Sequence, residues 1–519
     1  MKRFVRLKPS RLTDRLDAVY YHPSFLENED RLNSSSIKIL RLKTLVKEGR
    51  RSIYFRTQTM QIGEAPNDWV PFLTADDLGE DGFFVNLDAR RRVSPSFADK
   101  YPKGQLRGNE LLVKVKGPNQ TTAYNEMTPE NRVLVSGTIW GGLVKKDRVD
   151  PHYLVSALSC PYAAIARSRL RTNLNVEFLA PDDLLNLELP IPETRVTQTY
   201  IGNKVRLAER LRNRAQELEA RVNNIFESVG LFIDTSFKRC NCVPPELLNN
   251  RLDYLHYRSD LLANFKKISQ FSTALLGDTR HFINLSDGDH GNPAYGQGPI
   301  YIRVSEIKGN RLDETIAFRL DEAYAATISS SCWAKPGDVV FSIVGTLGAV
   351  AVIRPESKGI MSRGIAKVTP ISLPVYYVKA YMRSLAFSKE LLRYSVGTIQ
   401  RGVYLESLLD IGLPILEKSL IDLIALMEES ADDSIIFSQQ LTTAAKLLVE
   451  ALIEGKITED ELKTAQEALQ RGDRELDQLI LSRLTRKGFD VKGEPPLFPD
   501  LDTLYEAIDQ LDADSEEES

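Results

Sequence analysis

The chain repeats itself. The segment RLDAVYYHP, residues 15–23, returns as RLDYLHYRS, residues 251–259, at an offset of 236. WVPFLTADDL, ending at Leu78, resembles IYIRVSEI, ending at Ile307, each an apolar strand-like run closed by an acidic turn. KGQLRGNELLVKVKG, ending at Gly117, matches AKPGDVVFSIVG, ending at Gly345: a turn at Gly108 or Gly337, then the alternation of a half-buried strand. Pro151-His152-Tyr153-Leu154-Val155 aligns with Pro374-Val375-Tyr376-Tyr377-Val378, each opening a short amphipathic helix, and Leu189-Pro190-Ile191 aligns with Leu413-Pro414-Ile415 at an offset of 224. Recurring strand and turn composition explains one or two such matches but not five in the same order. A chain duplicated in this way folds as two similar lobes.

After each Leu-Pro-Ile the apolar period changes from two to 3.6, so both halves launch a helix at the same place. In the first, Ala208, Leu211, Ala215, Leu218 and Val222 step by three and four, with Arg206, Arg210, Arg212, Arg214 and Arg221 on other faces. In the second, Leu420, Ile424, Met427, Ala431, Ser434, Ser438, Leu441, Ala445, Leu448 and Leu452 keep the same steps. Two such stripes in equivalent places predict that the helices pair along them as a coiled coil rather than packing each on its own lobe. At 1.5 Å per residue each helix spans about 55 Å, longer than one turn of DNA.

The expected division is a lobe over 1–192, a helix over 193–230, a second lobe over 231–416 with a connecting segment at 231–250, a helix over 417–455, and an acidic helical extension over 456–519. The fold class is α+β. In the extension Thr458-Glu459-Asp460-Glu461 reads as a capping box, Gly472 and Gly488 as helix stops, Leu476, Leu479, Ile480 and Leu484 as an apolar stripe, and the stretch from Asp512 as disordered.

Composition sets limits on function. A content of 42% hydrophobic and 27% charged residues excludes disorder over most of the chain. Four scattered cysteines, Cys160, Cys240, Cys242 and Cys332, do not make a disulfide framework and point to a reducing compartment. No apolar run has the length of a membrane span, which makes the cytoplasm the expected location. The net charge of -4 hides a division: residues 456–519 hold 8 Lys and Arg against 18 Asp and Glu, leaving 59 against 53, a net of +6, for the remainder.

Catalytic motifs are lacking. There is no phosphate loop and no HExxH pair, and Cys240-Asn241-Cys242 has no second pair at zinc spacing, so no metal site or cofactor is expected. Glu306-Ile307-Lys308 with Asp289 upstream has the residue types of a Mg²⁺ nuclease cluster, but the repeat aligns it with Thr74 to Leu78, which gives it a structural explanation. Pro495-Pro496-Leu497-Phe498 lacks the strand and partner motif of an amino-methyltransferase.

What remains is a set of polar loops in matching places. The first lobe offers Lys114, Lys116, Asn119, Gln120, Thr121 and Thr122, then Arg169, Arg171, Asn173 and Asn175. The second offers Ser342, Thr346, Lys358, Arg363 and Lys367, then Thr398, Gln400 and Arg401. Arg suits guanine edges, Asn and Gln suit adenine, and Lys and Thr suit phosphates.

With its paired RLDAVYYHP and RLDYLHYRS openings, its PIYIRVSEI and KPGDVVFSIVGTLG strands, its GTIQRGVYLESLLDIGLPI segment and a long helix after each lobe, the chain resembles the specificity subunit of type I restriction-modification systems over about residues 10–455. The second lobe fits best, at Gly337-Asp338-Val339-Val340 and Gly345-Thr346-Leu347-Gly348, and residues 447–505 resemble C-terminal extensions of some members. The first lobe departs from the pattern, with Gly117-Pro118-Asn119-Gln120-Thr121 where Gly-Thr-x-Gly is expected. The resemblance implies a non-catalytic role in phage defence. Each lobe would be a target recognition domain reading half of a split sequence in double-stranded DNA. The helices, paired antiparallel, would set the spacing and dock two methyltransferase subunits. S-adenosylmethionine chemistry would belong to those subunits, and ATP- and Mg²⁺-dependent cleavage to a separate motor and nuclease subunit. The other readings are a Mg²⁺-dependent nuclease, or a defence-system scaffold that has lost DNA reading.

Overall fold

A computed structural model describes residues 9–517 except 14, 16, 52–60, 63–65, 67, 80–82, 88–90, 118–120, 173–176, 232–237, 239, 249, 250, 252 and 399. The chain forms two compact units, one of residues 1–212 with 435–519, the other of residues 213–434. Each therefore contains one lobe with half of each long helix, and the first also holds the C-terminal extension.

Each unit carries the same two small sheets. In the first unit Val46–Arg51, Ile139–Val144, Glu110–Lys114 and Thr122–Asn125 stand side by side, all antiparallel. In the second, Phe282–Asp287, Ile365–Pro370, Val339–Ser342 and Val350–Val352 keep that order and sense. The other sheet is built on a parallel pair in both units, Val70–Leu73 with Leu134–Val135 and Tyr295–Ile302 with Gly359–Met361. Only its edges differ: Gln61–Ile62 is added in the first unit, Trp333–Ala334 in the second.

Single hydrogen bonds explain why particular residues recur. Arg15 and Arg251 each donate through Nε to the aspartate two positions on, at 2.9 and 2.8 Å. Asp17 and Asp253 in turn accept from the backbone N–H of Tyr20 and His256, both at 3.0 Å. The same guanidinium reaches back to a helix end, at Leu170 O or Tyr394 O. Tyr153 and Tyr377 donate to the prolines of the two Leu-Pro-Ile strands, at 2.7 and 2.6 Å. One turn departs from the expectation. The left-handed residue matching Gly337 (φ 85°) is Asn109 (φ 56°), a residue type that tolerates that region, whereas Gly108 is needed because a Cβ there would lie 2.7 Å from the Thr128 nitrogen.

The long helices run Arg195–Phe226 and Lys418–Ile453. The seam residues Ala208, Leu211, Ala215, Leu218, Val222, Ile424, Met427, Leu441 and Leu448 are buried. Leu420 is only half-buried, and its neighbour Ile421 points inward instead. In the first unit Ala208 and Leu211 share one core with Leu441, Ala445 and Leu448, together with Tyr153 and Leu189 of the lobe. In the second, Arg311 joins Glu219 (2.7 Å) to Asp432 (2.8 Å), and Arg383 joins Asn223 (3.3 Å) to Glu428 (2.8 Å). From Glu219 to Asn223 residue numbers rise along one helix as they fall from Asp432 to Glu428 along the other, so in the second unit the two helical segments are antiparallel.

The extension is folded against the first unit. The predicted capping box is present at Thr458 and Glu461, and Gly472 (φ 83°) ends that helix. Gly488 instead closes a two-residue hairpin of Leu484–Thr485 with Gly488–Phe489. Ile480 and Leu484 are buried but Leu476 and Leu479 face solvent, so the predicted stripe is only half used. The stretch expected to be disordered is helical through Glu517, because Leu511 is buried and Arg210 pairs with Asp512 at 2.8 Å.

One buried acid sets a pH dependence. Burial pushes the Glu390 carboxyl up to about 7, against the opposing pull of Arg393 and the amide of Asn264. A raised carboxyl favours the folded state while protonated and loses that contribution as pH climbs from its unfolded value towards 7. Glu390→Gln is therefore expected to raise the thermal midpoint at pH 8 and leave it nearly unchanged at pH 4.5, as a pH series of melts would show.

Candidate nucleic-acid interface

In the second unit the strand Val339–Ser342 turns into Val350–Val352 through Gly345-Thr346-Leu347-Gly348. Gly345 and Gly348 take φ of 80° and 83°, a region most side chains avoid. The Ser342 hydroxyl staples the turn, donating to Thr346 O at 2.5 Å and accepting from Ala349 N at 2.9 Å. A second loop, Val396 to Gly402, is closed by reciprocal bonds of 2.8 and 3.0 Å between those two residues. Inside it Gly397 is required, since a Cβ would meet Gln400 O at 2.4 Å. Gly345 N to Arg401 O and Val403 N to Ile343 O, both 2.9 Å, zip the two loops together, and Ile343 N also binds Gly364 O at 2.9 Å. Thr346, Arg363, Thr398, Gln400 and Arg401 thereby gather at one end of the lobe. Arg401 is half-buried and the other four are exposed.

The first unit builds the same joint from different residues. Gly117 has φ 92° and donates to Glu177 O at 2.9 Å, Lys116 bridges Phe178, and Leu179 N binds Val115 O at 2.9 Å. Lys114, Lys116 and Thr121 stand half-buried at this end. Arg171 spans the joint, donating to Gly117 O at 3.0 Å and pairing with the Glu177 carboxylate. Arg169 lies over the Tyr20 ring at 4.1 Å and pairs with Glu29 at 3.2 Å. Asn119, Gln120, Asn173 and Asn175 lie outside the described residues.

Several predicted residues have other places. Ser342 is fully buried by its stapling role. Lys367 is buried too, bound to Trp333 O at 2.6 Å and Asp338 at 3.0 Å, so the interior takes both side chains away from any external ligand. Lys358 is exposed, but it precedes the strand Gly359–Met361 while Arg363 follows it, which separates the two. Glu306 is buried and accepts from Arg303 N at 2.8 Å, the same cap that Asp77 provides to Thr74 N at 2.7 Å. Asp289 accepts from the Tyr324 hydroxyl at 2.6 Å. Both carboxylates thus serve the fold. Among the described residues no group of three or more His, Cys, Asp or Glu is placed to hold a metal, no helix is long and apolar enough to cross a membrane, and all four cysteines are free.

Tyr404 is not among the predicted contact residues. It is 67% exposed and follows Val403 at the foot of the zipped loops. Its signal was an aromatic in GVYLESLL on the polar side of an otherwise apolar run.

No protein-family model matches the chain, and no curated protein does either. Solved structures that it is similar to come from type I restriction-modification systems, two of them described as the S or HsdS subunit. The crystal structure of the S subunit from M. genitalium is 11% identical, with a TM-score of 0.38 over 82% of this chain and 97% of that one. The HsdS subunit from Thermoanaerobacter tengcongensis is 14% identical, with a TM-score of 0.24 over 85% and 95%. A structure described as showing complex assembly and conformational transition of the type I system is 13% identical, with a TM-score of 0.23 over 88% and 98%.

Proposed function

We propose that the chain is the non-catalytic DNA-recognition subunit of a type I restriction-modification complex. The observation that carries this reading is the repetition of one device: each unit zips two loops at the end of the same four-stranded sheet, and each holds a segment of the same two long helices. Two equivalent readers on a shared helical pair suit a bipartite target. The Thr346, Arg363, Thr398, Gln400 and Arg401 cluster reads one half, and Lys114, Lys116 and Thr121 with the neighbouring Asn and Gln positions serve the other. The helices act as a coiled-coil spacer and dock methyltransferase subunits. Methyl transfer and ATP-dependent cleavage belong to the partners. The nuclease reading is not favoured, since Glu306 and Asp289 serve as structural acceptors.

The test is salt-dependent binding of the assembled complex to its target duplex. Each phosphate contact contributes about one to the slope of log K against log salt. Arg363→Ala and Arg401→Ala are each expected to weaken binding and, if the lost contact is to phosphate, to lower the slope by about one. If it is to a base, the slope is kept and discrimination at one position is relaxed. Unchanged affinity and specificity in both variants would contradict the reading and favour a scaffold.

A further inference from the structure

The first unit holds a cavity of about 330 Å³ between the helices Pro23–Ser34, Pro161–Leu170 and Pro181–Leu185. The offsets of 236 and 224 that relate the two halves match these helices, first residue to first residue, to Ser259–Ile268, Leu385–Tyr394 and Leu405–Leu408. In the second unit the chain fills the equivalent place itself. The Glu390 carboxyl accepts from the Asn264 amide at 2.9 Å and lies 3.7 Å from Arg393, and Arg393 covers the Phe265 ring at 4.0 Å. The first unit keeps the amide and the guanidinium, as Asn28 and Arg169, but has Ala166 in the place of Glu390 and Glu29 in that of Phe265.

Asn28 is 6% exposed and donates to Tyr162 O at 3.1 Å, as Asn264 does to Ala386 O at 3.0 Å. Its other amide proton, which in the second unit goes to Glu390, has no acceptor among the described residues, and a buried donor left open is costly. Arg169 uses Nε on Tyr20 O at 3.0 Å and Nη1 on Glu29 at 3.2 Å, leaving Nη2 without an acceptor among the described residues. On the remaining wall Glu188 pairs with Arg41 at 3.5 Å, whereas Asp183 makes no ion pair among the described residues. Phe25 and Leu170 supply apolar surface between them. Open donors and an open carboxylate on one small cavity call for both charges on one small molecule.

We propose that this cavity binds a free α-amino acid with an apolar side chain. Its carboxylate takes the place that the Glu390 carboxyl has in the second unit, accepting from Asn28 and Arg169. Its ammonium faces Asp183, and its side chain lies against Phe25 and Leu170. The volume falls in the roughly 300–1,000 Å³ range of small-molecule sites, where a few convergent polar groups fix an apolar body. A protein terminus carries only one of the two charges and answers only half of the site. The second unit, filled by Glu390 and Phe265, binds none, so the chain has one such site.

Isothermal titration calorimetry of the full chain with L-leucine, L-isoleucine, L-methionine and L-phenylalanine in turn tests this. At least one of the four is expected to bind, at one site per chain, and its deaminated and decarboxylated analogues at least tenfold more weakly. Asp183→Asn, at a partly exposed position, should weaken the amino acid at least tenfold yet leave the affinity for the deaminated analogue no lower. Ala166→Glu, which installs the second unit's own filling, should abolish binding. Binding of none of the four, binding at two sites, an analogue that binds as tightly as its amino acid, or binding that withstands both substitutions would overturn the inference and leave DNA recognition standing.

Discussion

Glu428→Ala is expected to destabilise the second unit by about 3–5 kcal/mol, the range for removing one partner of a buried ion pair. Glu428 and Lys379 are both fully buried, 3.1 Å apart, and Arg383 lies 2.8 Å from the same carboxylate. Lys379 also pairs with Asp432, which Arg311 reaches at 2.8 Å. Truncating Glu428 leaves Lys379 and Arg383 short of one counter-charge where water cannot replace it. Burial alone would raise the Glu428 carboxyl, but Lys379 and Arg383 overcome it and hold it below the usual carboxylate range. A lowered carboxyl contributes stability above its unfolded value, near 4.5, and loses it as pH falls through that value and below, so the defect should shrink in acid. Adding Lys379→Met to Glu428→Ala should recover part of the loss, because it removes the stranded charge. Chemical denaturation followed at pH 7 and pH 3.5 measures both effects, and equal losses at the two values would refute the electrostatic account.

Asp477→Ala should be comparably costly in the first unit. This single buried carboxylate binds the Lys204 ammonium at 2.5 Å, the Tyr200 hydroxyl at 2.6 Å and the Tyr505 hydroxyl at 2.5 Å. It is the most deeply buried of several polar contacts, Thr197 with Glu459, Asn203 with Gln466 and Arg210 with Asp512 among them, that fix the extension to the first long helix. Its loss would strand a buried ammonium and two hydroxyl donors, a cost of about 3–5 kcal/mol. The expected signature is local: hydrogen exchange should rise over 456–517 and over the start of the first long helix, with less change in residues 213–434. Uniform protection throughout would show that the extension is held by its apolar contacts alone.

The likeness of the two units was legible because its markers are local. The Arg-x-Asp of each RLD motif closes on itself within two residues before reaching a helix end, so its chemistry is written in adjacent positions. Gly345 and Gly348 were equally visible, since a tight turn between strands demands them. The charge network was not legible. Arg311, Lys379, Glu428 and Asp432 are scattered over more than a hundred positions, and singly each looks like an ordinary surface charge. Ser342 and Lys367 misled for the reverse reason: in composition they resemble polar loop residues, yet the fold turns both inward to hold the loop's shape. At Leu420 the three-and-four stepping picks a half-buried position, because the helix enters its first turn with Ile421 inward. The acidic C-terminal end looked like a solvated tail because Arg210, the cation that orders it, stands some three hundred residues earlier.

Selection of bound sequences from random duplex DNA by the assembled complex shows whether the two lobes read the halves of a split site. Two short specific elements separated by a fixed unspecific gap are expected. A Thr346→Ala, Arg363→Ala and Arg401→Ala variant should relax one element and leave the other intact. Insertion of one heptad in register into each long helix adds about 10 Å and should widen the gap by about three base pairs. An unenriched pool, a single uninterrupted site, or a gap unmoved by the heptads would contradict this expectation.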